Sequence, residues 1–328
     1  MSMLHSAARM TIQDLFEVDE TDESHEFGRG RYAVVRPAKR RMHKRGLSFS
    51  EARYSHVASH DNLRSVASGD SLSAFNKSSN NDLSGAGGEY DCALKIIDKK
   101  EFWSRVKRGQ ERPDTLVREV AIQTTLAVQG PDAPILRLRS IFETGDQLVM
   151  ELELLKGTDL FQHISSQGLL DEVEAAHVMK DLLNCLNVMD EIGIAHRDIK
   201  PANLLMCNSS EAGARIKLAD FGMASFVGVD NLVRGRCGTP GFVAPEILLT
   251  KVNGGYGNKV DMFSAGVTLY VMLAGYEPFF GESDEELINA NKLGKVNYPN
   301  ADWHKGMLLG HICHYRSLPL LTLPSLST

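Results

Sequence analysis

The sequence predicts an α+β fold in two lobes, a small strand-rich lobe followed by a larger helix-rich lobe, with a cleft between them. Short apolar segments separated by glycine or polar turns dominate the first half of the chain, as expected for strands. Residues 172–192 instead place apolar side chains at helical spacing, and from Val260 the pattern is helical to the end. Strands first and helices later predict two layers of different type in one chain.

The individual elements follow from the same patterns in chain order. Residues 1–25 form an N-terminal extension with one short amphipathic stretch around Leu15 and Phe16. Two strands joined by a glycine turn are expected from Glu26 to Pro37. The later elements are strands over Asp91–Ile97 and Leu148–Leu155, a helix through Leu116–Thr125, and short strands at Asn203–Met206 and Ile216–Leu218.

The composition is ordinary for a globular protein, with 43% hydrophobic and 24% charged residues among 328. The net charge of −6 gives no reason to expect binding to nucleic acid. The longest apolar run, near 265–274, is shorter than the about 20 residues that span a bilayer. The cysteines form no C-x-x-C pair, which favours free thiols in a reducing compartment. Because no signal-peptide pattern is present, the cytoplasm or the nucleus is the expected location.

A segment rich in serine, asparagine and glycine interrupts the strand-rich lobe at 46–88. Its few large apolar residues cannot bury enough surface to offset the ordering entropy, so we expect a disordered insertion. The basic run before it, at 39–45, is either a nuclear localisation signal or a surface patch. Arg45 lies three residues before Ser48. That spacing makes Ser48 a candidate for autophosphorylation, although a solvated basic segment explains the same pattern.

The glycine turn and the strand after it carry the first residues with a chemical interpretation. Gly28 and Gly30 would let backbone N–H groups approach phosphates closely, although a glycine hairpin is more often only a turn. Lys95 lies within an apolar strand, where a lysine usually faces solvent. Glu119 on the next helix is placed to pair with it, and such a pair would hold the ammonium against the phosphates of a nucleotide.

The strongest motif is His-Arg-Asp-Ile-Lys-Pro-Ala-Asn at residues 196–203, between the long helix and a short strand. Asp198 can accept a hydroxyl proton, Lys200 can neutralise a phosphoryl group in transfer, and the Asn203 oxygen can bind Mg²⁺. So many polar groups would be costly in a core, which makes a purely structural role a poor explanation. Asp220 begins an Asp-Phe-Gly run after a strand, and its carboxylate can hold Mg²⁺ as well.

The runs Gly-Thr-Pro-Gly at 238–241 and Ala-Pro-Glu at 244–246 follow in order, and with them the chain resembles the eukaryotic protein kinases over roughly residues 26–303. The lysine in the His-Arg-Asp run marks the serine/threonine form. Residues 153–161 and 238–246 are most similar to the calcium/calmodulin-dependent kinase group. The resemblance implies the two-lobed protein-kinase fold, ATP and Mg²⁺ as cofactors, and transfer of the γ-phosphoryl group to basic protein substrates. A calcium sensor would be a partner of a full-length form.

The resemblance also implies roles for individual residues. Asp198 would be the catalytic base with Lys200 beside it, and Asn203 and Asp220 would be the Mg²⁺ ligands. Thr239 would line the substrate-hydroxyl site. The implied ATP-binding residues at the phosphates are Phe27, Gly28, Gly30, Lys95 and Glu119. Val35, Ala93 and Leu205 would surround the adenine, and Glu153 to Leu155 would form the hinge beside the gatekeeper Leu152. Asp159 would meet the ribose or a basic substrate residue.

Four positions depart from the family pattern. Ala33 replaces the third glycine of the loop, and Phe263 stands where the family usually has Trp. Gln123 replaces an apolar residue one helical turn after the glutamate, which puts the position of that helix in question. Gly235 falls where relatives carry an activating threonine. We therefore expect no activating phosphosite at 230–237 and no switching by phosphorylation of that loop.

The C-terminal end is the largest departure. After Trp303 the family continues with further helices, whereas residues 304–328 read as a divergent tail without helical periodicity. On this comparison we expect a truncated C-lobe, from altered splicing or a mistaken gene model. Glu246, which pairs with an arginine of those helices in the family, would become a buried carboxylate without a partner, at a cost of about 3–5 kcal/mol.

Three functions compete on this evidence. The first is an ATP- and Mg²⁺-dependent serine/threonine protein kinase. The second is a catalytically impaired kinase-fold module that binds partners, which would follow from the missing helices. The intact Lys95, Asp198, Asn203 and Asp220 argue against it. The third, a small-molecule phosphotransferase of similar fold, is disfavoured by residues 238–246, which build a peptide-binding surface in the family.

Overall fold

The structure is a computed structural model, and it describes residues 11–18, 26–41, 90–129, 133–207, 215–250 and 254–299. The insertion expected at 46–88, Ser48, most of the basic run and the predicted tail at 304–328 lie outside these residues. Over the described ranges the predicted two-lobed α+β architecture is confirmed. None of the helices in those ranges is both long and apolar enough to cross a bilayer.

The strand-rich lobe is a six-stranded antiparallel sheet. Its order is β1-β3-β4-β6-β5, and β2 pairs with the other part of β3. The strands are β1 (Phe16–Glu17), β2 (Gly28–Arg29), β3 (Ala33–Arg40), β4 (Cys92–Asp98), β5 (Leu138–Glu143) and β6 (Gln147–Glu153). β3 and β4 pair over six residues, so they are neighbours in the sheet although a long segment of the chain separates them in sequence.

Among the residues described around this sheet there are three helices: α1 (Ile12–Leu15), α2 (Lys99–Lys107) and α3 (Thr115–Ala127). The sequence pattern predicted α3 but missed α2 and the strand β5. In α2 only Phe102 is buried, so the helix has almost no apolar periodicity to detect. Its signal is instead a cap, because the Asp98 side chain accepts a hydrogen bond from the Glu101 N–H group at 3.0 Å.

The described part of the N-terminal extension, residues 11–18, packs into the sheet. Phe16 lies opposite Arg40 in the β1–β3 pairing. Ile12 and Phe16 are buried in one cluster with Leu94 and Val149. The sheet therefore begins before residue 26, where the domain was predicted to start.

The described part of the helix-rich lobe contains five α-helices: α4 (Leu160–Gln167), α5 (Glu172–Glu191), α6 (Pro245–Leu249), α7 (Val260–Ala274) and α8 (Asp284–Leu293). The side chain of Asp171 caps α5, and the apolar faces of α5 and α7 share one core. The pattern from Val260 onward is helical over α7 and α8 but not continuous. Gly275 ends α7 with a left-handed φ of +80°, a conformation that favours glycine.

Short strands between these helices hold the loops of the cleft. They pair as β7 with β10, β8 with β9, and β11 with β12. Their bounds are β7 (Ile194–Ala195), β8 (Leu204–Cys207), β9 (Arg215–Leu218), β10 (Ser225–Phe226), β11 (Val233–Arg234) and β12 (Gly255–Tyr256). A 3₁₀ turn over Pro201–Asn203 leads from the His-Arg-Asp run into β8, so that run lies at the inner edge of the lobe.

Candidate active site

The ammonium of Lys95 is the central charge on the strand-rich side of the cleft. Its Nζ lies 2.5 Å from Glu119 Oε1 on α3 and 3.4 Å from Asp220 Oδ1. Burial opposes the charge on this ammonium, but the two carboxylates outweigh burial and raise the pKa of Lys95. The structure therefore brings the sequence-predicted lysine and glutamate together and adds Asp220 to them.

The glycine loop lies over this group of charges. Gly28 pairs with Val35, and the Gly30 N–H group donates to the Ala33 carbonyl at 2.7 Å, which closes the hairpin. A cavity beneath the loop is lined by Gly30, Tyr32, Lys95, Glu119, Asp198 and Asp220. The loop backbone and the buried ammonium thus face one space, as binding of a phosphate chain requires.

An apolar cluster with members from both lobes adjoins the charged group. Ala93 and Leu152 are buried in it, and Phe27, Val35, Leu155 and Leu205 pack half-buried against it. These include the residues expected around the adenine and the predicted gatekeeper. A mainly apolar site with a few polar groups nearby suits a planar heteroaromatic ring.

The side chains of Glu153, a hinge residue expected to offer backbone hydrogen bonds, and of Asp159 already have partners within the chain. Glu153 Oε1 accepts from the Arg137 N–H group at 2.7 Å and from Lys217 Nζ at 2.6 Å. Asp159 is 4% exposed and caps α4, accepting from the Gln162 N–H group at 2.8 Å. Burial raises the pKa of Asp159. Its position as a buried cap is a poor one for a basic side chain arriving from solvent.

Asp198 is the centre of the hydrogen bonds in the catalytic loop. Its Oδ1 accepts from Thr239 Oγ1 at 2.6 Å and from the Thr239 N–H group at 3.1 Å. Its Oδ2 lies 3.1 Å from Lys200 Nζ and 3.2 Å from Asn203 Nδ2. Lys200 Nζ also donates to Thr239 Oγ1 at 2.8 Å. Four sequence-predicted residues therefore meet around one carboxylate that already accepts a hydrogen bond from a hydroxyl group.

Two oxygens in the cleft are suited to a hard cation. Asn203 Oδ1 is buried and has no hydrogen-bond partner among the described residues, while its Nδ2 donates to the Asp198 carbonyl at 2.8 Å. Burial would raise the pKa of Asp220, but the ammonium of Lys95, other nearby positive charges and a hydrogen bond from the Gly222 N–H group together lower that pKa, so the carboxylate is ionised. An ionised carboxylate and an amide oxygen are ligands that Mg²⁺ takes, so these residues fit the expected ion.

The backbone of the cleft is held in an uncommon conformation at Arg197 (φ 69°) and Asp220 (φ 59°), each costing about 1–3 kcal/mol in a residue other than glycine. Asp261 on α7 supports the first of these. Its two carboxylate oxygens accept the N–H groups of His196 and Arg197, each at 2.7 Å. Sequence reasoning missed Asp261, although a lone carboxylate in an apolar helix was a usable signal.

The Arg197 side chain ties the catalytic loop to the segment that follows Asp-Phe-Gly. Its Nε donates to the Met223 carbonyl at 2.7 Å, and its Nη1 to the Arg234 carbonyl at 2.9 Å and the Tyr256 hydroxyl at 3.2 Å. The Tyr256 hydroxyl in turn donates to the Gly235 carbonyl at 2.6 Å. All of these acceptors are neutral groups of the chain, so these guanidinium hydrogen bonds are made without an added phosphate.

The departures from the family pattern leave the helix α3 in place. Arg118 Nε donates to the Ala224 carbonyl at 3.2 Å, and Glu119 keeps its contact with the lysine. Gln123 is 3% exposed, and its Oε1 has no hydrogen-bond partner in the described part of the chain. Phe263 stacks on Phe279 with ring centroids 5.9 Å apart. Gln123 put the position of this helix in question, and the structure keeps the Lys95–Glu119 contact with Gln123 present.

Glu246 differs from its expectation. It lies in the first turn of α6 and is exposed, with no ion pair among the described residues. The prediction of a buried carboxylate that loses its partner is therefore wrong, because a solvated carboxylate does not carry the desolvation cost of a buried one.

Comparison with known proteins agrees with this geometry. Residues 86–305 match the family described as Protein kinase domain. Myosin light chain kinase A of Dictyostelium discoideum is 33% identical over 211 residues, 64% of this chain and 67% of the relative. Calcium-dependent protein kinase 3 of Plasmodium yoelii yoelii is 34% identical over 224 residues, 66% of this chain and 40% of the relative.

A third relative is the calcium/calmodulin-dependent protein kinase type II alpha chain of Drosophila melanogaster, 33% identical over 215 residues, 65% of this chain and 38% of the relative. The chain spans from 38% to 67% of the length of these curated relatives. The glycine loop lies before the matched range, but the pairing of β3 with β4 brings it over Lys95. With the family match covering more than half of its length, the chain belongs to the protein kinase domain family.

Proposed function

We propose that this chain transfers the γ-phosphoryl group of ATP to serine and threonine hydroxyls of protein substrates. The observation that carries the proposal is the convergence of two sets of groups on one cleft. Lys95, Glu119 and Asp220 suit phosphates and a metal ion, and Asp198 with its three partners suits a hydroxyl group.

ATP with Mg²⁺ supplies the phosphoryl group and the positive charge that offsets its oxygens. Asp198 Oδ1 orients the substrate hydroxyl and accepts its proton, in the same way that it now accepts the hydrogen bond of Thr239 Oγ1. Lys200 holds a positive charge 3.1 Å from the same carboxylate, beside the group in transfer. Lys95, fixed by Glu119, would hold the phosphates, and Asn203 and Asp220 would hold the metal.

A preference for basic substrates belongs to the same proposal, and the net charge of −6 supports it because an acidic protein attracts basic peptides. A calcium sensor as partner of a longer form is supported by relatives named for calcium and calmodulin dependence. We place the protein in the cytoplasm or the nucleus, which the free thiols of Cys92 and Cys185 support. Imaging of a fluorescent fusion tests the location, and calcium-dependent co-purification of a partner tests the sensor.

The decisive experiment is radiolabelled ATP with a basic serine peptide and a matched tyrosine peptide. We expect label on the serine peptide alone and a loss of at least about 100-fold in kcat for Asp198→Ala. Binding of a fluorescent ATP analogue should persist in that variant, which separates lost chemistry from lost folding. Asp146→Ala, which removes an exposed acid from the β5–β6 turn, is the control.

Other outcomes would contradict the proposal. A wild-type chain that binds nucleotide but labels no peptide would be a kinase-fold binding module. Label on small hydroxyl compounds alone would indicate a small-molecule phosphotransferase.

A further inference from the structure

Glu277 lies in the turn between α7 and α8 and directs its carboxylate at the loop that carries Thr239. The residue is exposed, yet the end of its side chain rests on the backbone of Gly241. A Cβ atom added at Gly241 would lie 2.7 Å from Glu277 Oε2, closer than real contacts allow. Gly241 also has φ +88°. Because glycine has no Cβ atom, Gly241 leaves room for this carboxylate.

The Glu277 carboxylate has no hydrogen-bond or ion-pair partner within the ranges that the structure describes. Burial against the loop raises the pKa of Glu277, and no neighbouring cation lowers it. Other acids of the cleft are engaged: Asp198 with Lys200, Glu153 with Lys217, and Asp159 as a helix cap. Glu277 thus differs from them as an accessible acid whose charge no described residue offsets.

The loop beside Glu277 is held rigidly and close to the phosphoacceptor site. Gly241 N–H donates to Asn291 Oδ1 at 3.0 Å, and Asn291 Nδ2 donates to the Val243 carbonyl at 2.9 Å. Two residues earlier, Thr239 Oγ1 donates to the Asp198 carboxylate. Two residues of extended chain span at most about 7 Å. Glu277 therefore lies within a few residues' length of the site where a substrate hydroxyl would meet Asp198.

We propose that Glu277 is a specificity-determining residue that binds an arginine or lysine side chain within four residues of the phosphoacceptor. The proposal rests on the proposed kinase function and assigns its preference for basic substrates to one carboxylate. A peptide in extended form advances about 3.3 Å per residue, so a long basic side chain reaches the Glu277 carboxylate from a nearby position. Arginine fits best, since its planar guanidinium can donate two parallel hydrogen bonds to one carboxylate.

The test is a set of neutral serine peptides in which one arginine moves from four residues before the serine to four residues after it. For each position, the ratio of kcat/KM for the arginine peptide to that for the alanine peptide is measured. We expect one position with a raised ratio in the wild type, and a loss of about tenfold in that ratio in Glu277→Gln, mainly through KM. Glu285→Gln, an exposed acid on α8 with the same charge change, should keep the wild-type ratio.

Charge reversal sharpens the result. Glu277→Lys should prefer aspartate or glutamate over arginine at the same peptide position. An equal loss on arginine and alanine peptides in Glu277→Gln would overturn the inference, since it would show a structural role only. Identical ratios in the wild type and Glu277→Gln at every position would overturn it as well. A wild-type chain that labels no peptide would instead refute the proposed kinase function.

Discussion

Arg197 and Asp198 are neighbours in the chain, but the structure surrounds their charges in opposite ways. The Asp198 carboxylate lies among Lys200, Asn203 and Thr239, groups that the substrate and the metal ion would share. The Arg197 guanidinium is buried, and it contacts only neutral acceptors among the described residues, two backbone carbonyls and the Tyr256 hydroxyl. One charge is left available for chemistry, and the other is used to hold a loop.

This difference explains how the segment that follows Asp-Phe-Gly can be held against the catalytic loop without an added negative charge. Arg197 donates three hydrogen bonds to oxygens that the chain itself supplies. One of them is the Arg234 carbonyl, which directly precedes Gly235 with its left-handed φ of +92°. Residues 230–237 contain no serine, threonine or tyrosine. Both facts support the prediction that no activating phosphosite lies there.

The largest effect is expected at Asp261, which supports both neighbours through the N–H groups of His196 and Arg197. Asp261→Ala leaves two buried N–H groups without an acceptor, each costing about 1–3 kcal/mol, so we expect a destabilisation of about 3 kcal/mol. Urea denaturation measures it. The exposed Asp146→Ala should change stability by about 0.5 kcal/mol or less. A loss no larger than in this control would show that the two charges are positioned without Asp261.

A smaller loss of stability is expected for Tyr256→Phe, which changes the surroundings of Arg197 but not those of Asp198. The change removes the hydroxyl that accepts from Arg197 and donates to the Gly235 carbonyl, so stability should fall by about 1–2 kcal/mol and activity with it. Tyr90→Phe, before β4, is the matched control. Phosphatase treatment of the wild type should leave its activity unchanged. Activity that falls on dephosphorylation would mean that the neutral acceptors are not sufficient.

Gln123→Met tests the helix that supports the lysine. The buried Oε1 of Gln123 has no partner in the described chain, so replacing it with an apolar side chain of similar length should stabilise the fold by about 1 kcal/mol. Thermal unfolding measures the gain, with the exposed Gln110→Met as the control. Destabilisation would indicate that the amide binds a water molecule or ligand group that holds the helix.

The smallest effect is a change in pH dependence at Asp220. Burial raises the pKa of this carboxyl, but Lys95, other nearby positive charges and the Gly222 N–H group together lower it below the unfolded value of about 4. A lowered pKa contributes stability above the unfolded value, and that contribution is lost as the pH falls through the folded pKa. The free energy of unfolding should therefore fall less steeply between about pH 5 and 3 in Asp220→Asn than in the wild type. Equal slopes would show that the folded chain does not hold Asp220 ionised below that pH.

The sequence predicted much of the candidate site and less of its support. Asp198, Lys200 and Asn203 lie in one short run, so their meeting is a local property of a loop. The elements α2, α4 and β5 were missed, because short elements with few buried residues carry little periodicity. Glu246 was wrongly expected to be buried, because that expectation was carried over from the family resemblance and burial depends on how distant parts of this chain pack.

The sequence by itself determined the chemistry of this protein: which residues can accept a proton, hold a metal ion and bind phosphates, and the two lobes that carry them. Tertiary structure alone decided which charges are used and which are left available. Neither Asp261 beneath the catalytic loop nor Tyr256 against Arg197 stands in a recognisable motif. Glu277, which lies beside Gly241 and has no partner among the described residues, does not either. Such contacts join residues far apart in the chain, and their energies depend on burial and distance, which only the folded chain sets.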